Sequence, residues 1–260
     1  MTQTMTQDWN PEAYSRFRGL RLRPALDLLA QIGPVPNGPV VDLGCGNGAV
    51  GEALAARFGP RVVGVDSSPA MLSTAALSGS YATLIETDIS GWHPETPAAL
   101  IFSNAALHWL ADHEALMMRL AACLAPGGVL AVQMPRQFFA PSHRFLRDIA
   151  QAMFPDRFDF TGYEAPVQPA NAYWQMLATL GAVEAWETEY VQHLDPATDA
   201  HPVRRFTEST AMRPFMDALS DTEAVAFAAR YDAALVSAYP LLPDGSTLLP
   251  FRRVFFTLKV

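Results

Sequence analysis

The chain has 260 residues, half of them apolar and 17% charged, and a formal net charge of −8. A chain of this length can bury one core domain of ~200 to 250 residues together with an elaboration. Acidic charge argues against a nucleic-acid partner, because phosphate binding draws on clustered basic charge. No apolar run reaches the ~20 residues of a membrane helix, and residues 1–10 lack the basic region of a signal peptide, so we expect a cytoplasmic protein without a membrane partner.

The cysteine and histidine residues do not follow a metal-ligand pattern. Cys45 lies in a glycine-rich segment and Cys123 in an apolar helical pattern, a placement that fits neither a disulfide framework nor a zinc site. His108 and His113 would point to different faces of a helix. We therefore expect reduced thiols and no metal, and the sequence predicts no particular oligomeric state.

An alternation of short apolar strands and helices begins after a first helix at 23–31. The strands are rich in β-branched residues and bounded by turn residues, and the stretches between them carry apolar residues at helical spacing. This alternation indicates buried parallel strands in βαβ units. The predicted strands are 40–43, 62–65, 83–86, 100–103 and 129–134, and the predicted helices are 50–57, 69–77 and 114–124.

The remainder of the chain changes character. Residues 137–169 are rich in Phe, Pro and Asp without a clear period, so we expect an irregular segment there. The patterns predict a helix at 172–181, a strand at 183–191, mostly helix at 202–239 and a last strand at 253–260. The sequence therefore divides into 1–34 (an N-terminal lid and first helix), 35–194 (a Rossmann-like core with an irregular insertion at about 136–170), 195–250 (a helical substrate cap) and 251–260 (the last core strand).

A glycine-rich turn follows the first predicted strand, in Asp42-Leu-Gly-Cys-Gly-Asn-Gly48. Between a strand and a helix, such a turn exposes backbone N–H groups, and glycine lets a ligand come close to the main chain. Gly44 and Gly46, taken with Ala49, also nearly fit the dinucleotide fingerprint. The turn alone therefore leaves the class of cofactor open.

Two acidic residues follow the next two strands. Asp66 comes about 20 residues after the turn, where a carboxylate can accept hydrogen bonds from both ribose hydroxyls. It could instead be a solvated acid that caps the helix beginning at Pro69. Asp88 stands beside Ile89, where an acceptor and an apolar side chain could hold adenine by its amino edge and its face. The alternative for Asp88 is an acid of a surface turn.

Five segments resemble, in order and in spacing, the motifs of class I S-adenosylmethionine-dependent methyltransferases. A nicotinamide enzyme would not be expected to carry the acid before the glycines, the Asp88-Ile89 pair and the Pro-Gly-Gly hairpin. The resemblance implies an α/β fold with a seven-stranded Rossmann-like sheet, helices on both faces and a helical cap inserted before the last strand. The segments are Asp42-Leu-Gly-Cys-Gly46, Asp66-Ser-Ser-Pro-Ala-Met71, Asp88-Ile89, Ser103-Asn-Ala-Ala-Leu-His-Trp109 and Leu124-Ala-Pro-Gly-Gly128.

The same resemblance implies S-adenosylmethionine as the cofactor and S-adenosylhomocysteine as the product, and it implies a set of residues that bind them. The candidate cofactor residues are Gly44 and Gly46 against the methionyl part, Asp66 on the ribose, Met71 and Ile89 beside adenine, Asp88 on its amino group, Asn104 and Ala105 near the sulfonium, Asp42, Cys45 and Ser67 in the same segments, and Trp9 and Tyr14 as a lid.

Segments outside the core resemble the trans-aconitate 2-methyltransferase family, so that the resemblance covers nearly the whole chain. It implies an enzyme that forms a monomethyl ester on trans-aconitate or a related small polycarboxylate. Such an acceptor is ionised at neutral pH, so its oxygen is already nucleophilic and needs no general base. The segments are Asp8-Trp-Asn-Pro11 with Tyr14, Arg21, Arg23-Pro24, Arg213-Pro-Phe215, Arg230-Tyr231 and Tyr239-Pro-Leu241.

We expect catalysis by positioning, since orienting two reactants can lower a barrier by ~7 to 11 kcal/mol. An acidic chain must gather local positive charge to hold a polyanion. The candidate substrate residues are Tyr14, Arg21, His108, Arg213, Tyr231 and Arg253. The structural alternatives are a surface position for Arg21, an ion pair within the cap for Arg213, a strand-edge charge for Arg253, a half-buried structural role for His108, and a staple of the amino terminus for Tyr14 and Trp9.

Three other functions remain open on the sequence. A carboxyl methyltransferase acting on a carrier-protein thioester would share the lid and the core motifs, although an acidic carrier would meet an acidic enzyme. A non-catalytic protein that binds S-adenosylmethionine would share the core motifs. A nicotinamide oxidoreductase would share the glycine-rich turn and Asp66.

Overall fold

The computed structural model describes residues 18–260, and for residues 18–21 it describes the backbone alone. Within that range, no helix is long and apolar enough to cross a membrane. The chain forms two compact units. Of the described residues, the first comprises 18–135, Pro166–Thr188 and Val254–Val260, and the second comprises Arg136–Ala165 and Glu189–Arg253.

The described residues contain a seven-stranded sheet in the order β3-β2-β1-β4-β5-β7-β6. Strands β1 to β5 are parallel to their neighbours. Strand β7 is antiparallel to β5, because Gly127 bonds Val260 near one end and Arg136 bonds Arg252 near the other. This sheet confirms the predicted class of fold. The strands are β1 (Val40–Leu43), β2 (Val62–Asp66), β3 (Thr83–Glu86), β4 (Ala98–Asn104), β5 (Leu124–Pro135), β6 (Ala182–Leu194) and β7 (Thr247–Lys259).

The strand order reverses between β1 and β4, which are neighbours at the middle of the sheet. Right-handed crossovers that run in opposite directions place their helices on opposite faces, so a crevice opens at the carboxyl ends of these two strands. Both strands are largely buried and mostly apolar, with Asp42 near the end of β1 and Ser103 and Asn104 at the end of β4, and this fixes their position in the core. Gly44 and Ala105 are the residues that immediately follow them.

Some of the helices begin where the sequence supplies a side-chain cap. Ser68 accepts a hydrogen bond from the backbone of Met71 at 3.2 Å, and Pro69 occupies the first turn of α3. Ser220 and Glu223 form a capping box at the start of α9. The described helices are α1 (Arg18–Gln31), α2 (Gly51–Phe58), α3 (Pro69–Ala76), α4 (His113–Ala122), α5 (Pro141–Met153), α6 (Ala170–Leu177), α7 (Pro202–Thr207), α8 (Arg213–Met216) and α9 (Asp221–Ala238).

Two predictions of secondary structure were wrong. The segment expected to be irregular at about 136–170 contains α5, a helix of 13 residues. Its buried residues Leu146, Ile149 and Ala150 recur at helical spacing, so the helical pattern was present in this Phe-, Pro- and Asp-rich stretch and was overlooked. Strand β7 begins at Thr247 rather than at Arg253. Pro250 lies in this added part, and proline cannot donate a hydrogen bond to a sheet.

Buried polar contacts hold the helices of the second unit together. The hydroxyl of Tyr231 in α9 donates to the backbone carbonyl of Ser142 in α5 at 2.6 Å. The backbone N–H of Ser142 donates to the hydroxyl of Tyr239 at 3.1 Å. Phe215 stacks on Phe227 with ring centroids 5.8 Å apart. These contacts give the second unit a core of its own.

Candidate functional site

Backbone hydrogen bonds attach the glycine-rich turn to the end of β2. The N–H groups of Gly44 and Cys45 donate to the carbonyl of Val65 at 2.8 and 3.0 Å. The next N–H, that of Gly46, donates to Oδ2 of Asp66 at 2.8 Å. Gly44 and Gly46 have φ angles of 78° and 54°, in the left-handed region that favours glycine. The sequence therefore forms a turn whose shape is set by β2 on one side.

Asp66 joins the turn to the start of α3. Its second carboxylate oxygen, Oδ1, accepts from the backbone N–H of Ser68 at 3.0 Å. Ser68, and not Asp66, is the residue that caps α3. A carboxylate has about four acceptor positions, so two remain on the half-buried Asp66 for hydroxyl groups of a ligand.

Replacing Asp66 by alanine is expected to weaken binding of S-adenosylhomocysteine by ~1 to 3 kcal/mol, since charge-assisted hydrogen bonds to a ligand are of this size. The variant Asp66→Asn keeps an oxygen that can accept from Gly46, and we expect it to bind more tightly than Asp66→Ala. Isothermal titration of both variants against S-adenosylhomocysteine measures the difference. Equal affinity of Asp66→Ala and the wild type would contradict the assignment of Asp66 to the ribose.

The turn meets the ends of β3 and β4 at Gly44. A Cβ added at Gly44 would lie 2.2 Å from the Cβ of Ala106 and 3.3 Å from Cδ1 of Ile89. A Cβ added at Gly46 would meet nothing within 4 Å, so open space lies beside its backbone. Among the residues that the structure describes, Asn104 has a buried side-chain oxygen, Oδ1, without a hydrogen-bond partner. Open space beside a glycine and an available acceptor fit the polar methionyl end of S-adenosylmethionine.

The segment after β3 is held by an arginine that the sequence reading did not identify. Arg119 of α4 donates to the carbonyls of Trp92 at 2.6 Å and Ile89 at 2.8 Å. Asp88 is exposed, and its Oδ1 accepts from the backbone N–H of Ser90 at 2.7 Å. Hydrogen bonds from Ser90 lower the pKa of Asp88, so this carboxylate is ionised at neutral pH. An ionised acceptor beside a fixed Ile89 fits the amino edge and the face of adenine.

The backbone at the end of β4 has an unusual conformation. Ala105 has a φ angle of 54°, which is rare for a residue with a side chain. Its N–H donates to the carbonyl of Gln133 in β5 at 2.9 Å. His108 lies in the short 3₁₀ helix Leu107–Trp109, half-buried, with its ring 4.7 Å from that of Trp109. Non-glycine residues in left-handed conformations cluster at functional sites, which agrees with the predicted position near the sulfonium.

The remaining candidates differ in exposure. Met71 is 4% exposed and Ser67 is exposed. Cys45 is a buried free thiol, and burial together with the nearby Asp42 and Asp66 raises its pKa, so it stays protonated. A neutral thiol here is a packing residue rather than a nucleophile.

Three candidates cannot be placed. Trp9 and Tyr14 lie outside the described residues. Arg21 lies in α1, and its side chain is likewise outside what is described.

The remaining substrate candidates belong to the second unit. Arg213 pairs with Asp217 one helical turn away, with Nε and Oδ2 3.7 Å apart, which is the ion pair named as its structural alternative. Arg253 is only 4% exposed, and its guanidinium lies 4.7 Å from the ring centre of Phe251. It is therefore not a strand-edge surface charge. Tyr231 is fully buried, and its hydroxyl donates a hydrogen bond to the backbone carbonyl of Ser142.

Comparisons with known proteins agree with this geometry. Residues 14–183 match the sequence profile of a family described as a methyltransferase domain. The chain is 40% identical over 258 residues to the trans-aconitate 2-methyltransferase of Paracidovorax citrulli (strain AAC00-1), a match that covers 97% of this chain and 98% of that protein. The trans-aconitate 2-methyltransferase of Yersinia pseudotuberculosis (serotype O:1b, strain IP 31758) is 40% identical over 253 residues, covering 96% of this chain and 97% of its own length.

Solved structures share the fold at low sequence identity. The Haemonchus contortus phosphoethanolamine N-methyltransferase 2, in complex with phosphomonomethylethanolamine and S-adenosylhomocysteine, has a TM-score of 0.57 at 18% identity. The match covers 99% of this chain, which spans 58% of the length of that chain. The YcgJ protein of Bacillus subtilis has a TM-score of 0.54 at 14% identity, covering 91% of this chain and 98% of that one.

Proposed function

The chain belongs to the trans-aconitate 2-methyltransferase family of S-adenosylmethionine-dependent methyltransferases, and we propose that it esterifies one carboxylate of trans-aconitate or a related small polycarboxylate. The observation that carries this proposal is the extent of the similarity to relatives named for that activity. It covers nearly the whole chain, and therefore both compact units, rather than the methyltransferase domain alone.

In the proposed reaction, a carboxylate oxygen of the acceptor displaces the sulfur from the methyl carbon in line. An O–C bond forms as the C–S bond breaks, the bonding pair stays on sulfur, and no proton moves. S-adenosylmethionine supplies the methyl group on a positively charged sulfonium. Because the acceptor is already ionised at neutral pH, the chain needs no general base, and its residues act by binding and orienting.

Residues of the first unit supply the proposed cofactor contacts. The backbone of Gly46 lines open space, Gly44 lets the turn pack closely against Ala106, and Asp66 has acceptor positions that Gly46 and Ser68 do not use. Asn104 offers an unused oxygen beside the left-handed turn at Ala105. These donors and acceptors are fixed by hydrogen bonds within the fold, so little reorganisation is needed when the cofactor binds.

Arginines of the second unit are the proposed acceptor contacts. Arg253 is buried, and a desolvated guanidinium binds a carboxylate more strongly than an exposed one does. Arg213 is less than one-fifth exposed, and its partner Asp217 is largely exposed. An exposed carboxylate one turn away holds an arginine weakly, so a polycarboxylate can compete for Arg213.

A labelling assay tests the proposed function. The protein is incubated with S-adenosylmethionine carrying a labelled methyl group, and with trans-aconitate, cis-aconitate, isocitrate or citrate. We expect a base-labile methyl ester on trans-aconitate. Binding of S-adenosylhomocysteine without any ester would leave a carrier-protein acceptor or a non-catalytic protein as the explanation. Binding of NAD without binding of S-adenosylhomocysteine would overturn the cofactor assignment.

Replacing Arg213 by alanine is expected to raise the KM for trans-aconitate by about 10-fold or more, since a charge-assisted hydrogen bond contributes about 1.5 to 3 kcal/mol. The affinity for S-adenosylhomocysteine should stay unchanged. The matched control is Asp217→Ala, which breaks the same ion pair by removing its carboxylate and keeps Arg213. If both variants raise KM equally, Arg213 acts only through its pair with Asp217 and does not bind the acceptor.

A further inference from the structure

Tyr81 lies against three glycines from separate parts of the cofactor unit. A Cβ added at Gly51, at the start of α2, would lie 2.6 Å from Cζ of its ring. The corresponding distances are 2.9 Å to Cδ1 from Gly64 in β2 and 3.1 Å to Cε2 from Gly48 in the turn. A side chain at Gly51 would displace the ring, one at Gly64 would crowd both the ring and Leu84, and one at Gly48 would press on both the ring and Ala75. The aromatic ring therefore fills a slot that the chain keeps free by placing glycine on its walls.

The hydroxyl of Tyr81 reaches the acid that precedes the glycine-rich turn. It donates to Oδ2 of Asp42 at 2.7 Å. Asp42 is 2% exposed at the carboxyl end of β1, whereas Tyr81 precedes β3, the edge strand two places away in the sheet. A single tyrosine thus connects the β1 turn, the start of α2 and the edge of the sheet.

The charges around Asp42 make this hydrogen bond important. The groups that face its carboxylate are Tyr81, Asp66 and Cys45. The pKa of Asp42 is raised to about 7, because burial and the nearby Asp66 raise it by more than the hydrogen bond from Tyr81 lowers it. Burial and the neighbouring acids also raise the pKa values of Tyr81 and Cys45, so both stay protonated. Of these influences, only the Tyr81 hydrogen bond favours the ionised form of Asp42.

We propose that Tyr81 is a positioning residue of the cofactor site, whose ring supports the glycine-rich turn and whose hydroxyl fixes the Asp42 carboxylate as a hydrogen-bond acceptor beside it. This inference rests on the proposed cofactor site. The methionyl end of S-adenosylmethionine carries an ammonium and a sulfonium group. A buried carboxylate of fixed orientation favours such positive charge, provided that the carboxylate is ionised.

The experiment is isothermal titration of the ligand-free protein with S-adenosylhomocysteine, from about pH 6 to about pH 9, for the wild type and Tyr81→Phe. Phenylalanine keeps the ring and removes the hydrogen bond. The matched control is Tyr173→Phe, which removes another buried hydroxyl of the same unit, 2.6 Å from Nδ1 of His113. Thermal unfolding of each variant measures the general loss of stability.

We expect Tyr81→Phe to bind about 10-fold more weakly at pH 7, and to recover part of this loss at higher pH as Asp42 ionises without the hydrogen bond. Tyr173→Phe should bind as the wild type does. Unchanged binding by Tyr81→Phe, or a loss that is the same at every pH, would overturn the inference. Failure of the wild type to bind at any pH would instead overturn the proposed cofactor site.

Discussion

Gly44→Ala is expected to lower the free energy of unfolding by about 3 to 5 kcal/mol and to abolish binding of S-adenosylhomocysteine. Gly46→Ala should also abolish or strongly weaken this binding, but it should lower the free energy of unfolding by only about 1 to 2 kcal/mol. Both glycines have left-handed φ angles, so both variants incur the backbone cost. Gly44 incurs a second cost, because its new Cβ would overlap the Cβ of Ala106 at 2.2 Å.

The new methyl group at Gly46 meets no protein atom within 4 Å, so its effect on binding reports on the ligand rather than on the fold. Denaturant unfolding and isothermal titration of the two variants separate these effects. Wild-type affinity in Gly46→Ala would show that the open space beside Gly46 is not where the cofactor lies. A stability loss in Gly44→Ala no larger than that in Gly46→Ala would show that Ala106 can move away from the turn.

Asp42→Asn is expected to stabilise the ligand-free protein at neutral and higher pH while it weakens cofactor binding. Holding a carboxylate ionised in a fold that raises its pKa from 3.8 to about 7 costs about 4 kcal/mol. Because the folded-state pKa is raised, wild-type stability should fall as the pH rises from about 4 to about 7, and then level off. Asparagine keeps an oxygen for Tyr81 and never ionises.

Unfolding in urea at about pH 5 and about pH 8 measures this effect. The stability difference between Asp42→Asn and the wild type should grow by about 2 to 3 kcal/mol from about pH 5 to about pH 8. A difference that does not depend on pH would mean that Asp42 does not ionise over this range. Tyr81→Phe should behave oppositely at about pH 8, since it makes the ionised carboxylate of Asp42 more costly.

The sequence predicted the strands of the core well because their patterns are local. Val40–Leu43 and Ala98–Asn104 are largely buried and mostly apolar, with polar residues only near their carboxyl ends. Helix α5 was missed although Leu146, Ile149 and Ala150 recur at helical spacing on its buried side. The Phe, Pro and Asp residues around it favoured an irregular segment, and the packing of the Arg147 guanidinium 3.8 Å from the ring centre of Tyr163 is a tertiary contact that no local pattern shows.

The cofactor motifs were likewise readable, because the turn, Asp66 and Asp88 each follow a predicted strand. The residues that hold those motifs in place could not be identified from the sequence, because they lie far from the motifs along the chain. Tyr81 acts on Asp42 across 39 positions, and Arg119 acts on Ile89 across 30. A signal for Tyr81 did exist, since Gly48, Gly51 and Gly64 all leave room for one ring. This signal can be recognised only in the folded structure, where the strand register brings the three glycines together.

The left-handed conformation of Ala105 bears on how quickly a ligand can bind beside it. The conformation costs about 1 to 2 kcal/mol for alanine, and the fold carries that cost at all times, because Gln133 of the neighbouring strand holds the Ala105 N–H in place. A glycine here would be free to sample other shapes between binding events. Alanine, once forced into this shape by the sheet, has few alternatives, so this wall of the proposed cofactor site is already formed before a cofactor arrives.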